Sequence, residues 1–282
     1  MKKISFTKMS GTGNDFVFID ETINPGLKIE RDLVSKLCNR KNGIGADGVV
    51  TLIDSVKYDF IMNYYNADGS TGSLCANGAR CAILFASKSG RLKNSTAKFL
   101  SNDEEFSGEI LTDGNVKFNL NPPKKIKYNF KVKAADQLIK ANFVDTGSPH
   151  VVIKIDEPEN NFNFFNSLDN LPVDSIGREI RYLPEFAPSG TNVNFVKIID
   201  GAIKIRSYER GVEAETLSCG TGSVATAIIT YVSDGLRPPI KIITKENENL
   251  FVNFDIENQK VKNVSLTGAA KIVFSGEIDL FN

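Results

Sequence analysis

The 282-residue sequence predicts an α+β protein of two pseudo-symmetric domains, each a curved, barrel-like and mostly antiparallel β-sheet around a central helix. Three observations lead there. Short β-rich runs bounded by Gly, Asn and Asp turns fill most of the chain. Two of its few helical segments are apolar almost all round, the pattern of a helix enclosed by other structure. The two halves also resemble each other: "GADGVVTLID…YDFIMNYYNADGSTGSLCANGARCAI" lies beside "GTNVNFVKIID…AIKIRSYERGVEAETLSCGTGSVATAI", and "GTGNDFVFID" beside "DTGSPHVVIKID". An internal duplication predicts two similar domains.

The elements follow in order. "FVFID" reads as a strand, Arg31 to Cys38 as a helix, and "GVVTLI" and "YDFIMNYY" as strands. A helix runs on from Cys75 through "GARCAILFASKSG", and "VKFNL" is again a strand. The Pro/Lys/Asn-rich "NPPKKIKYNFK", Asn121 to Lys131, reads as the linker. Beyond it come "VVIKI", the polar insertion "DEPENNFNFFNSLDN", the strands "NVNFVKII" and "AIKIRSYE", a helix after Cys219 through "GSVATAIITYVSDG", and the strands "IKIIT", "NLFVNF" and "AAKIVF". The expected domains are 1–125, completed by a C-terminal strand at about 270–282, and 126–269.

Lys+Arg and Asp+Glu balance at 34 each, and nothing in that balance calls for nucleic acid or an anionic membrane surface. The N-terminus has two lysines with no apolar run behind them, and no segment approaches the length of a membrane span. The expected compartment is the cytoplasm. Cys38, Cys75, Cys81 and Cys219 read as thiols and not as a disulfide framework. With no C-x-x-C spacing and His150 as the single histidine, no metal site is expected. "GIGADG", Gly43 to Gly48, satisfies G-x-G-x-x-G, but "VVTLI" follows where a dinucleotide site needs a helix.

Cys75 and Cys219 carry the chemistry. A lone cysteine at a helix start is more often a small buried hydrophobe. Two at matching points of a duplicated unit read differently, because the N–H groups of a helix N-terminus stabilise a thiolate and hold an anion. Gly78, Gly220 and Gly222 would let a ligand approach the backbone. If the pseudo-twofold axis brings both helix starts to one cleft, one thiolate takes an α-proton while the opposite thiol delivers another, an inversion by two bases. Without a cofactor, the developing charge on the carboxylate would rest on those fixed dipoles in a site closed to water. Cys81 and Cys38 read as core. His150 is expected to orient or polarise a neighbour of a catalytic group. Glu209 and Arg210 of "SYERG" suit an ammonium and a carboxylate. Asn14, Asn66 and Asn192 lie in turns, where asparagine also serves turn geometry.

At these residues the sequence resembles the diaminopimelate epimerase family, cofactor-independent enzymes that interconvert LL- and meso-2,6-diaminopimelate. The resemblance runs through "FTKMSGTGNDFVFID", "GIGADG", "NADGSTGSLCANGARC", "TGSPHVV", "GTNVNFV", "YERG…ETLSCGTG" and "VFSGEI". It implies two related domains closing over substrate, no cofactor, and Cys75 and Cys219 as the acid/base thiols. His150 and Glu209 would complete the catalytic set. Backbone amides of Ala76, Asn77, Gly220 and Thr221 would hold the reacting carboxylate, and Asn14, Asn66, Asn192, Glu209 and Arg210 would recognise the rest of the substrate. The implied partner is a small-molecule amino acid, a homodimer being an open option. Three departures stand out: "CANG" where the family usually has "CGNG", Ser148 where asparagine is common, and an extra residue between Glu209 and Cys219. A racemase of another amino acid on the same fold, and a non-catalytic amino-acid binder or thiol redox protein, are the alternatives.

Overall fold

The computed structural model describes residues 3–72, 74–160, 162 and 167–279. It separates into two compact units, one formed by the chain through Asn119 with the segment from Thr267 onward, the other by Leu120–Leu266.

The first unit opens with strands β1 (Lys3–Gly11) and β2 (Asn14–Asp20), helix α1 (Arg31–Cys38), and strands β3 (Gly48–Ile53) and β4 (Phe60–Asn66). Helix α2 (Ala76–Lys88) and strands β5 (Thr96–Ser101), β6 (Glu104–Ile110) and β7 (Val116–Asn119) follow. β1 pairs antiparallel with β2, β2 parallel with β3, β3 antiparallel with β4, β4 parallel with β5, and β5 to β7 run as an antiparallel meander. The parallel steps are those bridged by a helix, since a parallel pair requires a crossover connection.

The second unit contains β8 (Lys125–Ala134), β9 (Gln137–Asp145), β10 (Pro149–Lys154), α3 (Val173–Arg181), β11 (Asn192–Ile199), β12 (Ala202–Glu209), β13 (Ala214–Thr216), α4 (Gly220–Asp234), β14 (Ile240–Ile243), β15 (Asn249–Glu257) and, through Leu266, most of β16 (Lys260–Gly268). Its pairing repeats that of the first unit: β9–β10 antiparallel, β10–β11 parallel, β11–β12 antiparallel, β12–β14 parallel and β14–β15 antiparallel. β8 lies antiparallel on β9. The place it takes in this unit is taken in the first by the C-terminal strand β17 (Lys271–Asp279), antiparallel to β1.

Each sheet curls around its apolar helix. α2 packs on β1, β2, β3, β4, β6, β7 and β17, and α4 on β9, β10, β11, β12, β14 and β15. Every residue of α4 from Gly220 to Thr230 is buried, which only an encircled helix achieves. α1 and α3 lie on the other faces. Val34, Leu37 and Cys38 of α1 join Ile4, Val17, Ile19 and Val49, while Val173, Ile176 and Ile180 of α3 join Val151, Val193, Phe195 and Tyr208. Sheet strands buried on both faces read as nearly continuous apolar runs, as "GVVTLI" does.

Two local expectations are revised. The stretch read as a linker forms β8, whose alternation is broken where the register shifts between Lys127 and Phe130, with Asn129 at φ 53°. α3 was not anticipated. The glycine at its centre, Gly177, hid it, and that glycine is required because a Cβ there would lie 2.5 Å from Cβ of Tyr208. The polar insertion lies partly outside the described residues. Among the described residues no helix is long and apolar enough to cross a membrane.

Candidate active site

Both expected cysteines stand at the same structural point. Cys75 is the N-cap of α2, with φ −97° and ψ 108°, and Cys219 the N-cap of α4, with φ −119° and ψ 108°. The extended N-cap conformation turns the chain so that the first helical N–H groups face the capping side chain. In the first unit Gly78 N donates to Cys75 Sγ at 3.4 Å. In the second, the Thr221 hydroxyl oxygen lies 3.7 Å from Cys219 Sγ.

Cys75 is half-buried, whereas Cys219 is only 4% exposed. Burial, together with the negative charge and hydrogen bond of Glu209, pushes the Cys219 thiol well up, and the Gly222 and Thr221 donors offset this only in part. Glu209 also accepts from the hydroxyl of Thr216, the last residue of β13. The longer loop between Glu209 and Cys219 thus contains a short strand, β13, paired with the end of β12. Cys38 and Cys81 are buried in core, and desolvation pushes each thiol up to about 12.

The first unit brings Asn14 and Asn77 together. Asn77 Nδ2 donates to Asn14 Oδ1 at 2.6 Å, and Asn14 Nδ2 to Asp47 at 3.0 Å. Behind them Lys8 and Arg40 hold Asp15 and Asp47, at 2.7 Å from Lys8 to Asp15 and 2.7 Å from Arg40 to Asp47. The cations hold the Asp15 carboxyl below the usual carboxylate range, and burial raises that of Asp47. Asn66, at the end of β4, donates to the Ser70 hydroxyl at 3.0 Å and closes its own turn. Ala76 has a negative φ in the first turn of α2, so its methyl costs nothing where glycine is usual.

In the second unit Asn192 donates both Nδ2 hydrogens, to the Ser148 hydroxyl and the Pro149 carbonyl at 2.9 Å each, and its Oδ1 accepts from Arg210 N, also at 2.9 Å. Asn192 thereby fixes the backbone that carries Arg210. The Arg210 side chain lines a cavity of about 420 Å³ with Asp145 and Lys124 on its wall. His150 is fully buried, hydrogen bonded to Thr221 and Asn194. Burial and the nearby Arg210 charge push its imidazole down to about 3, so it is neutral in working solutions. Among the described residues no group of three or more His, Cys, Asp or Glu is placed to hold a metal ion.

The model of the family described as diaminopimelate epimerase matches residues 6–126 and 142–273. The chain belongs to the diaminopimelate epimerase family. Among curated members, the diaminopimelate epimerase of Hydrogenobaculum sp. is 41% identical over 96% of both chains, and that of Chlorobaculum tepidum 38% identical over 96% of this chain and all of its own. The fold is shared more widely. A PhzF-family phenazine biosynthesis protein from Bacillus anthracis aligns over 99% of this chain with a TM-score of 0.75 at 13% identity. A probable proline racemase from Agrobacterium radiobacter K84 aligns over 99% of this chain and 93% of its own, with a TM-score of 0.73 at 14% identity. At those identities the likeness concerns the fold.

Sequence reasoning passed over Asn194, Ser207 and Thr146, all buried around the start of α4. The signal for Asn194 was its place two residues beyond Asn192 in β11, so that both asparagines fall on the same side of the strand.

Proposed function

We propose that this protein is a diaminopimelate epimerase, an isomerase that inverts one α-carbon of 2,6-diaminopimelate by proton transfer between Cys75 and Cys219. The reading is supported chiefly by the family match along nearly the whole chain combined with a cysteine at the N-cap of each encircled helix.

The chemistry assigns the roles. The Cys219 thiol, raised by burial and by Glu209, rests protonated and is the acid. Cys75, with Gly78 N–H on its sulfur, is the base. Cys75 takes the α-proton, negative charge spreads onto the carboxylate, and Cys219 gives its proton to the opposite face of the carbon. In the reverse direction the Cys219 thiolate takes that proton back from carbon and Cys75 returns the one it took, with the charge of Glu209 beside Cys219 favouring its protonated form. Backbone N–H groups of Ala76, Asn77, Gly220 and Thr221 would hold the carboxylate, in the place where a helix N-terminus carries partial positive charge.

The remaining contacts fit a substrate with two amino-acid ends. The cavity that Arg210 lines offers a cation and, in Asp145, an anion for a zwitterionic group. In this proposal Asn192 acts through Arg210, and Asn14 and Asn66 recognise the substrate from the first unit. The expected setting is cytoplasmic.

The test is α-deuterium incorporation by NMR with LL-diaminopimelate in D2O under reducing conditions. Conversion to the meso isomer with deuterium at the inverted carbon is expected, and its loss in both Cys75→Ala and Cys219→Ala. A wild-type protein that leaves diaminopimelate unexchanged but exchanges proline or another amino acid would replace the substrate assignment.

A further inference from the structure

Four buried side chains form a chain of hydrogen bonds that ends on the Cys219 sulfur. Asn194 Nδ2 lies 3.2 Å from His150 Nδ1, His150 Nε2 lies 2.9 Å from Thr221 Oγ1, and Thr221 Oγ1 lies 3.7 Å from Cys219 Sγ. Asn194 and His150 are fully buried and Thr221 is 7% exposed. Water has little access, so the direction of each bond is set by the protein.

The direction can be worked out atom by atom. Asn194 Nδ2 also donates to the Val151 carbonyl at 3.0 Å, and a carbonyl only accepts. The amide orientation is therefore fixed, and the Ser207 hydroxyl satisfies its Oδ1 at 2.9 Å. His150 Nδ1 then meets an N–H and must carry the lone pair. A neutral imidazole with Nδ1 unprotonated has its hydrogen on Nε2, which donates to Thr221 Oγ1. With its oxygen accepting that bond, the Thr221 hydroxyl is left to point its own hydrogen at sulfur.

We infer that Asn194 is a positioning residue that sets the tautomer of His150, and that His150 in turn holds the Thr221 hydroxyl as a hydrogen-bond donor to the Cys219 thiolate formed in turnover. His150 exchanges no proton with the substrate in this arrangement. The charged and titratable groups facing the relay are Glu209, which raises the thiol, and Arg210, whose charge bears on His150. The neutral relay supplies a donor at the sulfur without adding a charge near the substrate. The inference rests on the proposed function for its use of Cys219 in turnover, but the tautomer itself does not.

Because His150 is the only histidine, nitrogen-15 NMR of the ring reads the tautomer without assignment. The expected spectrum shows hydrogen on Nε2 and a bare Nδ1. Asn194→Asp replaces the donor by an acceptor and is expected to move the hydrogen to Nδ1. Thr221→Val keeps the shape and removes the hydroxyl. It should shift the thiolate absorbance titration, taken as the difference against Cys219→Ala, to higher pH. It should also cut kcat by about ten- to a hundredfold with KM little changed, the size of one hydrogen bond to a charged group. Thr221→Ser should restore both. A native ring with hydrogen on Nδ1, or a Thr221→Val titration identical to wild type, would overturn the inference. A wild type that shows the expected tautomer yet does not epimerise diaminopimelate would instead overturn the proposed function.

Discussion

At Gly222 and Gly78 the same residue type serves different needs. A Cβ on Gly222 would sit 2.3 Å from Asn194 Oδ1 and 3.2 Å from Cys219 Sγ, so glycine there lets the start of α4 close onto the relay. A Cβ on Gly78 would meet nothing nearer than 3.5 Å. Gly222→Ala should therefore push Asn194 or Cys219 out of place and cut turnover by more than tenfold. Gly78→Ala should keep its N–H on Cys75 and raise stability by about 0.5 to 1 kcal/mol through helix propensity. Steady-state kinetics and thermal melts on the pair decide this. A Gly222→Ala enzyme as active as wild type would show that the contact relaxes freely. Both glycines were expected to admit a ligand, and the sequence could not distinguish them because the close neighbour, Asn194, comes from a strand distant along the chain.

The helices were legible where their chemistry is local. A cysteine before a glycine-containing turn and an apolar run marks the N-caps of α2 and α4 directly. β8 and α3 were illegible for opposite reasons: β8 keeps polar side chains on its exposed positions and a shifted register, and α3 has a central glycine demanded by Tyr208. The duplication held the missing signal for α3, since α1 occupies the corresponding crossover between β2 and β3. Encirclement also has an energetic consequence. Thr226, fully buried on α4, has a hydroxyl without a hydrogen-bond partner, and burying such a group costs about 1 to 3 kcal/mol. Thr226→Val replaces it with a methyl of similar shape. The expected result is a stabilisation of about 1 kcal/mol by denaturant unfolding, with kinetics unchanged. A loss of stability would show that the hydroxyl finds a partner in solution.

For the whole molecule, the neutral His150 ties stability to pH. The folded ring titrates at about 3 and the unfolded ring at about 6.5, so between those values the unfolded chain binds one proton more than the folded one. Stability then rises with pH across that window and falls on acidification, by about 1.4 kcal/mol per pH unit where the difference is a full proton. From pH 7.5 to 4.5 the loss amounts to about 2 to 3 kcal/mol. Other groups act with their own signs. Asp15, Asp20 and Glu215 are held low by their cations, and their stabilisation is lost as pH falls from the ordinary carboxylate range toward their lower folded values. Asp47 is raised and works the other way. These contributions are common to wild type and His150→Gln, so the difference between the two unfolding free energies, followed from pH 7.5 to 4.5, isolates the histidine. The wild-type curve should fall more steeply between pH 6.5 and 4.5, whatever the absolute cost of the substitution. Parallel curves would mean that the buried imidazole accepts a proton in the folded state, and a ring protonated at both nitrogens could not take the hydrogen bond from Asn194.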